Sequence, residues 1–405
     1  MNRDVADRPD GPPLSDVLVV DLSRVLAGPY CTMALADLGA EVIKVERPGS
    51  GDDTREWGPP WAGGESAYYL AVNRNKKSIT VNLKTERGRK IVRDLACQAD
   101  VLVENFRVGT MDQWGLGYDL LRERNPGLIY CAITGYGQDG PYRDRPGYDF
   151  AIQALGGIMS VTGPVEGPPT RVGVPIVDIT AALFAAVSIL AALYERKQSG
   201  KGQYVDVALL DSQVAWLANV AGNYLVTGRQ PARYGNAHPN IVPYELFPTD
   251  GGWIALAVGN DRQWRRLCEI TGWEDLASDD RFNTNPKRVE HRGLLVPILQ
   301  DRFRARSAAD WYGTLVQGGI PCAPVQSVDE VFADPQVLAR QLLVELEHPT
   351  AGTLNVAGSP LNLSRTPVRM EAAPPLLGQH TEEVLVEYLG YGLEAVARLR
   401  AEQVV

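Results

Sequence analysis

Asp178 stands where a nucleophilic carboxylate could work: in 174-VPIVDITAAL-183 it follows a short apolar run and precedes a strong helical pattern. Asp is a favoured helix N-cap, so capping a helix over 179–196 is the plainest expectation. The same position suits a nucleophile, because amides and dipole at a helix start keep a carboxylate ionised and aimed. The two roles are compatible. Asp149, in 145-RPGYDFAIQALGG-157, also follows a Pro-Gly turn and precedes a helical run, so it too is expected to cap its own helix. Arg47 leaves a strand in 42-VIKVERPGSGD-52, where it is either a solvated loop residue or a phosphate ligand. In 101-VLVENFRVG-109, Asn105, Phe106 and Arg107 follow a strand, a grouping suited to stacking on a planar base or to an edge Phe tucked into the core. Lys84, in 81-VNLKT-85, is a surface lysine or a second phosphate contact.

Other chemistries lack their residues. The turn after the first strand pattern reads SRVLAGPY, without the glycine spacing of a dinucleotide site, and GxSxG, P-loop and HExxH patterns are absent. Four histidines, His238, His291, His348 and His380, leave little scope for a histidine-based triad or metal site, and no metal is expected. Five scattered cysteines without a CxxC pair suit a reducing, cytoplasmic setting. A net charge of −9 and a pI near 5.2 argue against nucleic acid or an anionic membrane as partner. The start is polar and acidic, without a signal-peptide core. In 176-IVDITAALFAAVSILAALYERK-197 about 15 apolar or small residues follow Asp178, short of the ~20 of a membrane span, so a buried core helix is expected. Carboxylate chemistry remains.

These residues need elements to hold them. After a polar arm over residues 1–15, β-branched runs at 17–22, 41–46, 78–83, 101–106, 128–136 and 204–209 alternate with helical patterns at 30–38, 85–98, 117–124 and 179–196. Gly28-Pro29 opens the first helix and Gly39 stops it. Strands alternating with helices predict an α/β fold, a Rossmann-like doubly wound parallel sheet. A helix over 211–226 closes this part. The Gly- and Pro-rich stretch 227–243 reads as a loop or linker, before a strand at 252–259, helices near 261–271, 286–305 and 307–318, and a short extended piece at 323–327. The tail has a strand-like 351–364 and a helical 381–402. The predicted division is a large Rossmann-like domain over 1–225, a smaller α/β domain over 226–330 and a C-terminal segment over 331–405.

In order, 19-VVDLSRVLAGPY-30, 38-LGAEVIKVERPGSGD-52, 73-NRNKKSI-79, 101-VLVENFRVGTMD-112, 125-NPGLIYCAITGYGQDGP-141, 199-SGKGQYVDVAL-209, 235-GNAHPNIVPYELF-247 and 376-LLGQHTEEVL-385 resemble the class III CoA-transferase family. That family includes formyl-CoA and carnitine CoA-transferases, succinyl-CoA:dicarboxylate transferases and α-methylacyl-CoA racemases. The resemblance implies an interlocked homodimer, CoA thioesters as substrates with no bound cofactor, and Asp178 as the nucleophile. It places Leu26, Ala27, Arg47, Val81, Lys84, Asn105, Phe106, Gln113 and the stretch Pro146–Asp149, with Tyr148, around CoA. Gln113 and Pro146 replace basic residues of the formyl-CoA enzyme, so pyrophosphate contacts fall to Arg107 or Arg145. Arg24 and Leu26 replace a His and a Gln near the thioester. Arg24 there implies either an anionic acyl tail or a salt bridge at the sheet edge. The stretch 238-HPNIVPY-244, with His238 and Asn240, resembles the dicarboxylate transferases.

The implied reaction is CoA transfer from succinyl-CoA to a dicarboxylate through an aspartyl anhydride and an aspartyl thioester. Racemases need an acid/base pair from TGHG and GHD motifs. Here those read 134-TGYG-137 and 147-GYD-149, and Tyr136, with an ordinary pKa near 10, is a poor proton shuttle. A racemase using Asp149 with another partner, and a non-catalytic acyl-CoA-binding subunit, are the alternatives.

Overall fold

The computed structural model describes residues 11–405. Six strands make one parallel sheet: β1 Leu18–Asp21, β2 Glu41–Glu46, β3 Lys76–Thr80, β4 Val101–Glu104, β5 Ile129–Thr134 and β6 Tyr204–Ala208. Their order is β3-β2-β1-β4-β5-β6, with every pairing parallel. This is the doubly wound order with a switch point between β1 and β4, where the chain leaves the sheet in opposite directions and opens a crevice at the strand ends. The strands are buried on both faces, which is why their sequences read as continuous β-branched runs.

Two apolar layers sandwich the sheet. One packs α1 (Ala27–Asp37) and α3 (Ile176–Ser199) against Val19, Val42, Val103 and Ile133. The other packs Ile91, Leu95, Leu121, Leu385 and Val396 against Val20, Ile43 and Leu102. Alternate residues of each strand serve the two layers, as a period of two requires.

Contacts divide the chain into two compact units: residues through Gly157 with Val172–Ala221 and Pro335–Val405, and Ile158–Arg171 with Gly222–Asp334. The sequence reading kept 158–171 in the large domain; here that segment groups with the later residues. The second unit holds an antiparallel sheet of β7 (Tyr244–Thr249), β8 (Gly252–Ala257) and β9 (Cys322–Pro324) around a core of Phe247, Trp264, Phe303 and Trp311. β7 leaves little strand signal in the sequence, because Pro248 and the glutamate in YELFPT break the apolar pattern.

Several expected elements shift. Residues 1–10 of the expected arm lie outside the described residues, but Leu14 is buried and its N–H bonds Leu38 O. The helix over 211–226 divides into Leu209–Ala215 and Ala218–Thr227, and 286–305 into Asn285–Glu290 and Arg292–Phe303. Likewise 381–402 becomes Thr381–Glu387 and Leu393–Ala401, and the tail strand becomes a hairpin of Leu343–His348 with Gly352–Ala357. Helix α3 has 24 residues, long and apolar enough by composition to cross a membrane; half of its most apolar window is buried against the sheet layer described above.

Candidate active site

The switch point is built by cross-linking the loops that leave β1, β2 and β4. Asn105, just past β4, accepts from Arg24 N–H (2.9 Å) and donates to Arg24 O (2.7 Å), clamping the loop after β1 from both sides. Lys44 of β2 is fully buried and donates to Ser23 O (2.9 Å) and Asp52 (2.8 Å). Burial alone would raise Asp52, yet Lys44 and the Thr54 N–H hold it at about 2, a permanent anion. Asp52 in turn accepts from Val25 N–H (3.2 Å). Val25 has φ of 70°, a left-handed conformation costly for a β-branched residue and sustained by these three anchors.

Around this loop lie two cavities that share Arg24 and Phe106. The first, of about 200 Å³, is lined by Arg24, Leu26, Ala27, Asp53, Asn105, Phe106, Arg107, Arg145, Pro146, Tyr148 and Asp178, among others. The second, of about 180 Å³, is lined by Arg47, Val81, Lys84, Phe106 and Trp114 beside Leu22 and Leu83. Phe106 meets Trp114 edge-on at 5.0 Å, and Arg24 sits 5.3 Å from the Phe106 centroid. Glu104, buried under this loop and pushed up to about 8 by burial, accepts from Phe106 N–H (2.7 Å).

Asp178 occupies a different place from the one expected. Helix α3 begins at Ile176 after Pro175, so Asp178 lies within its first turn, and its side chain caps nothing. The cap comes from α2 (Asp149–Leu155). The Asp149 carboxylate accepts from Val177 N–H (2.8 Å) and Asp178 N–H (3.3 Å). Gln153 Nε2 donates to its other oxygen (2.6 Å), and Gln153 Oε1 accepts from Val172 N–H. Asp149 thus caps a neighbouring helix rather than its own, whose start is Tyr148. A close glycine pair aids this: a Cβ on Gly135 would sit 2.7 Å from Gly147 Cα, so only glycine lets the two loops touch ahead of Asp149.

With the first-turn amides engaged by Asp149, Asp178 is not held ionised as the sequence suggested. Burial, then the Asp149 charge, push its carboxyl up to about 7. It is a weakly solvated base poised near neutrality, the condition for a reactive carboxylate. Tyr68, a residue without a signal of its own in the sequence, packs against the cluster of Leu26, Met33 and Val72; burial and the charges of Asp178 and Asp149 push its hydroxyl up to about 12. It keeps its proton at neutral pH and lies within the electrostatic reach of Asp178. Its signal was Ser66, an N-cap whose hydroxyl accepts from Tyr68 N–H at the head of a short helix.

Of the expected residues, Gln113 lines neither cavity; it is exposed on the short helix Thr110–Gln113. His238 and Asn240 lie in the second unit. There His238 Nδ1 accepts from Asn240 N–H, His238 O accepts from Arg292, and Asn240 O from Asn285. Among the described residues no group of three or more His, Cys, Asp or Glu could hold a metal ion.

A half-buried carboxylate on the wall of a crevice that arginines also line agrees with the comparisons. Succinyl-CoA:glutarate CoA-transferase of Homo sapiens is 46% identical over 393 residues, 97% of this chain and 90% of that protein. Succinate–glutarate CoA-transferase of Agrobacterium fabrum is 48% identical over 382 residues, 93% of this chain and 96% of that one. The crystal structure of a CAIB/BAIF family protein from Brucella suis matches with a TM-score of 0.85 at 43% identity, over 93% of this chain and all of that one. The family model for CoA-transferase family III matches residues 14–381, and the chain belongs to that family.

Proposed function

We propose that the protein moves CoA from succinyl-CoA to a dicarboxylic acid acceptor through covalent intermediates on Asp178. The observation that carries this is the Asp178 carboxylate on a cavity wall, titrating near neutrality and sharing that cavity with Arg24. The names of the relatives above supply the acyl donor and acceptor class.

In the first step the Asp178 carboxylate attacks the thioester carbonyl, forming a mixed anhydride and releasing CoA thiolate. The thiolate attacks the aspartyl carbonyl, giving an aspartyl-CoA thioester and freeing the donor acid. The acceptor carboxylate attacks that thioester, forming a second anhydride and thiolate. Thiolate attack on the acyl carbonyl of this anhydride releases the new acyl-CoA and restores Asp178. No net proton moves. Each tetrahedral oxyanion needs a hydrogen-bond donor in a site from which water is excluded. The racemase alternative is disfavoured because both Asp149 oxygens already accept hydrogen bonds, one from Gln153 of α2 and one from the foot of α3.

The second cavity suits the adenosine end of CoA, with Phe106 and Val81 against the base and Arg47 and Lys84 for phosphate. No bound cofactor is required. The working unit is proposed to be an interlocked homodimer in the cytoplasm, without membrane or nucleic-acid partners. Support comes from the apolar outer face of α3, where Val187 is 63% and Tyr194 70% exposed, from free cysteines and from the net negative charge. Light scattering of the purified protein tests the dimer.

The activity is tested by incubating the protein with succinyl-CoA and a panel of mono- and dicarboxylic acids, following CoA esters by mass spectrometry. A new dicarboxyl-CoA, lost in Asp178→Ala, is the expected result. Near-normal exchange by Asp178→Ala rejects the nucleophile.

A further inference from the structure

Four arginines line the first cavity, but three are committed or exposed. Arg145 is exposed and stacks on Tyr142 at 3.7 Å, Arg143 is exposed and lies 3.6 Å from Asp144, and Arg107 is exposed. Arg24 is the half-buried one, and it is held unlike the others. Its backbone is clamped by Asn105, and the following residue is the strained Val25. Its Nε is buried and has no hydrogen-bond partner among the described residues. One terminal nitrogen reaches Asp53 at 3.2 Å, across a contact in which both side chains are about 40% exposed. Asp53 also reaches Arg47 at 3.4 Å, so this carboxylate has a second cation to turn to.

A guanidinium with an unused buried donor, a solvent-weakened carboxylate partner and a view of the nucleophile's cavity is an incompletely filled carboxylate site. Arg presents a planar fork that accepts a carboxylate through two parallel bonds, and Asp53 as it stands uses only part of that fork. Resting on the transferase reading above, we infer that Arg24 binds the distal carboxylate of the dicarboxylic substrate, and that Asp53 is an internal stand-in which yields the site and remains with Arg47. A monocarboxylic acid brings nothing to displace Asp53, whereas a dicarboxylic acid completes the fork. Selectivity then arises from competition at one guanidinium, and Val25 holds that guanidinium in register with Asp178. No bond to carbon is made or broken in this step; one carboxylate replaces another on a fixed cation.

The test compares kcat/KM for glutarate and for butyrate as acceptors, with succinyl-CoA as donor, in wild-type protein, Arg24→Gln, Arg24→Lys and Asp53→Asn. The glutarate-to-butyrate ratio is expected to fall by on the order of a hundredfold in Arg24→Gln, the loss of a charge-assisted pair of hydrogen bonds. Arg24→Lys, which keeps the charge without the fork, should recover part of that ratio. Asp53→Asn should lower the glutarate KM and leave the butyrate KM less affected. An unchanged ratio in Arg24→Gln overturns the assignment of Arg24, and a raised glutarate KM in Asp53→Asn overturns the role of Asp53. Wild-type protein that uses both acids equally also overturns the inference while leaving CoA transfer intact. Wild-type protein that transfers to neither acid rejects the transferase reading itself.

Discussion

The Asp149 carboxylate lies 3.3 Å from the backbone nitrogen of Asp178 and 2.8 Å from that of Val177, so one acid caps the helix that carries the other. The arrangement sets position and charge at once. It fixes the first turn of α3, and it spends the helix-end amides that would otherwise stabilise the Asp178 anion. A carboxylate deprived of those donors is less stable as an anion and more ready to share its electrons with a carbonyl carbon.

Replacing Asp149 by Asn keeps an oxygen acceptor for the α3 amides and removes the charge. Asp178 then loses one of the two causes that raise it, while burial, the larger, remains. The active form is the carboxylate, so activity rises with pH through about 7 in the wild-type protein. In Asp149→Asn the rising limb of the kcat/KM profile should move to lower pH. A limb that stays in place would show that Asp149 acts through position alone. Asp149→Ala should in addition destabilise the fold by about 1 kcal/mol, the usual loss for a helix cap.

Asp178 itself should cost the protein stability. Its folded pKa of about 7 exceeds the 3.8 of an ordinary aspartate, so the folded chain binds more protons than the unfolded one between those values. Stability is therefore greatest below the unfolded pKa and falls as pH rises through the folded one. Asp178→Asn removes this term. Its melting temperature should match the wild type near pH 4 and exceed it at pH 8, by on the order of 1–3 °C for a chain of this size. Equal melting temperatures at pH 8 would contradict the burial cost assigned to Asp178.

Much of this was legible in the sequence for a physical reason. The β-branched runs and their Gly and Pro stops report local preference, so the βα alternation and the strand ends bearing Arg47 and Asn105 could be read directly. The ties among those strand ends could not. Asn105 meets Arg24 across 81 residues and Asp149 meets Val177 across 28, and neither pairing leaves a periodic trace. Local logic therefore had Asp149 and Asp178 each capping its own helix. Lys44 and Lys76 break apolar strand patterns and could have signalled the buried charges beneath the site, since a lysine in a central strand must find an anion. Arg24, Arg107 and Arg145 do meet in one cavity, whereas Gln113 turns to solvent.

Asn105→Ala should expose how far the loop clamp matters. Two hydrogen bonds to the Arg24 backbone disappear, at a cost of about 1–3 kcal/mol for part-buried polar groups left unpaired. Val25 then loses one of the anchors holding its left-handed conformation and can relax. The expected signature is a lower denaturation midpoint with a loss in kcat/KM larger than Asn105→Asp shows, since Asp keeps the acceptor for Arg24 N–H. Equal losses in the two variants would place the effect on the Arg24 carbonyl instead.

The second cavity makes a prediction about which end of CoA it takes. Arg47 bonds Ser50 Oγ at 2.7 Å and leans on Asp53, while the exposed Lys84 ammonium has no partner among the described residues. A free ammonium in the loop after β3 is suited to a terminal phosphate as a point charge, and the arginine to a bridging one. Lys84→Ala should weaken CoA binding about tenfold at low salt, with the difference shrinking as ionic strength rises. With 3′-dephospho-CoA the same substitution should have little effect, because the group it contacts is gone. Arg47→Ala should weaken both ligands alike. Calorimetric titration of the two ligands against the two variants separates these outcomes, and a Lys84→Ala loss of equal size for both would remove the 3′-phosphate from Lys84 and return it to the Arg47 side of the cavity.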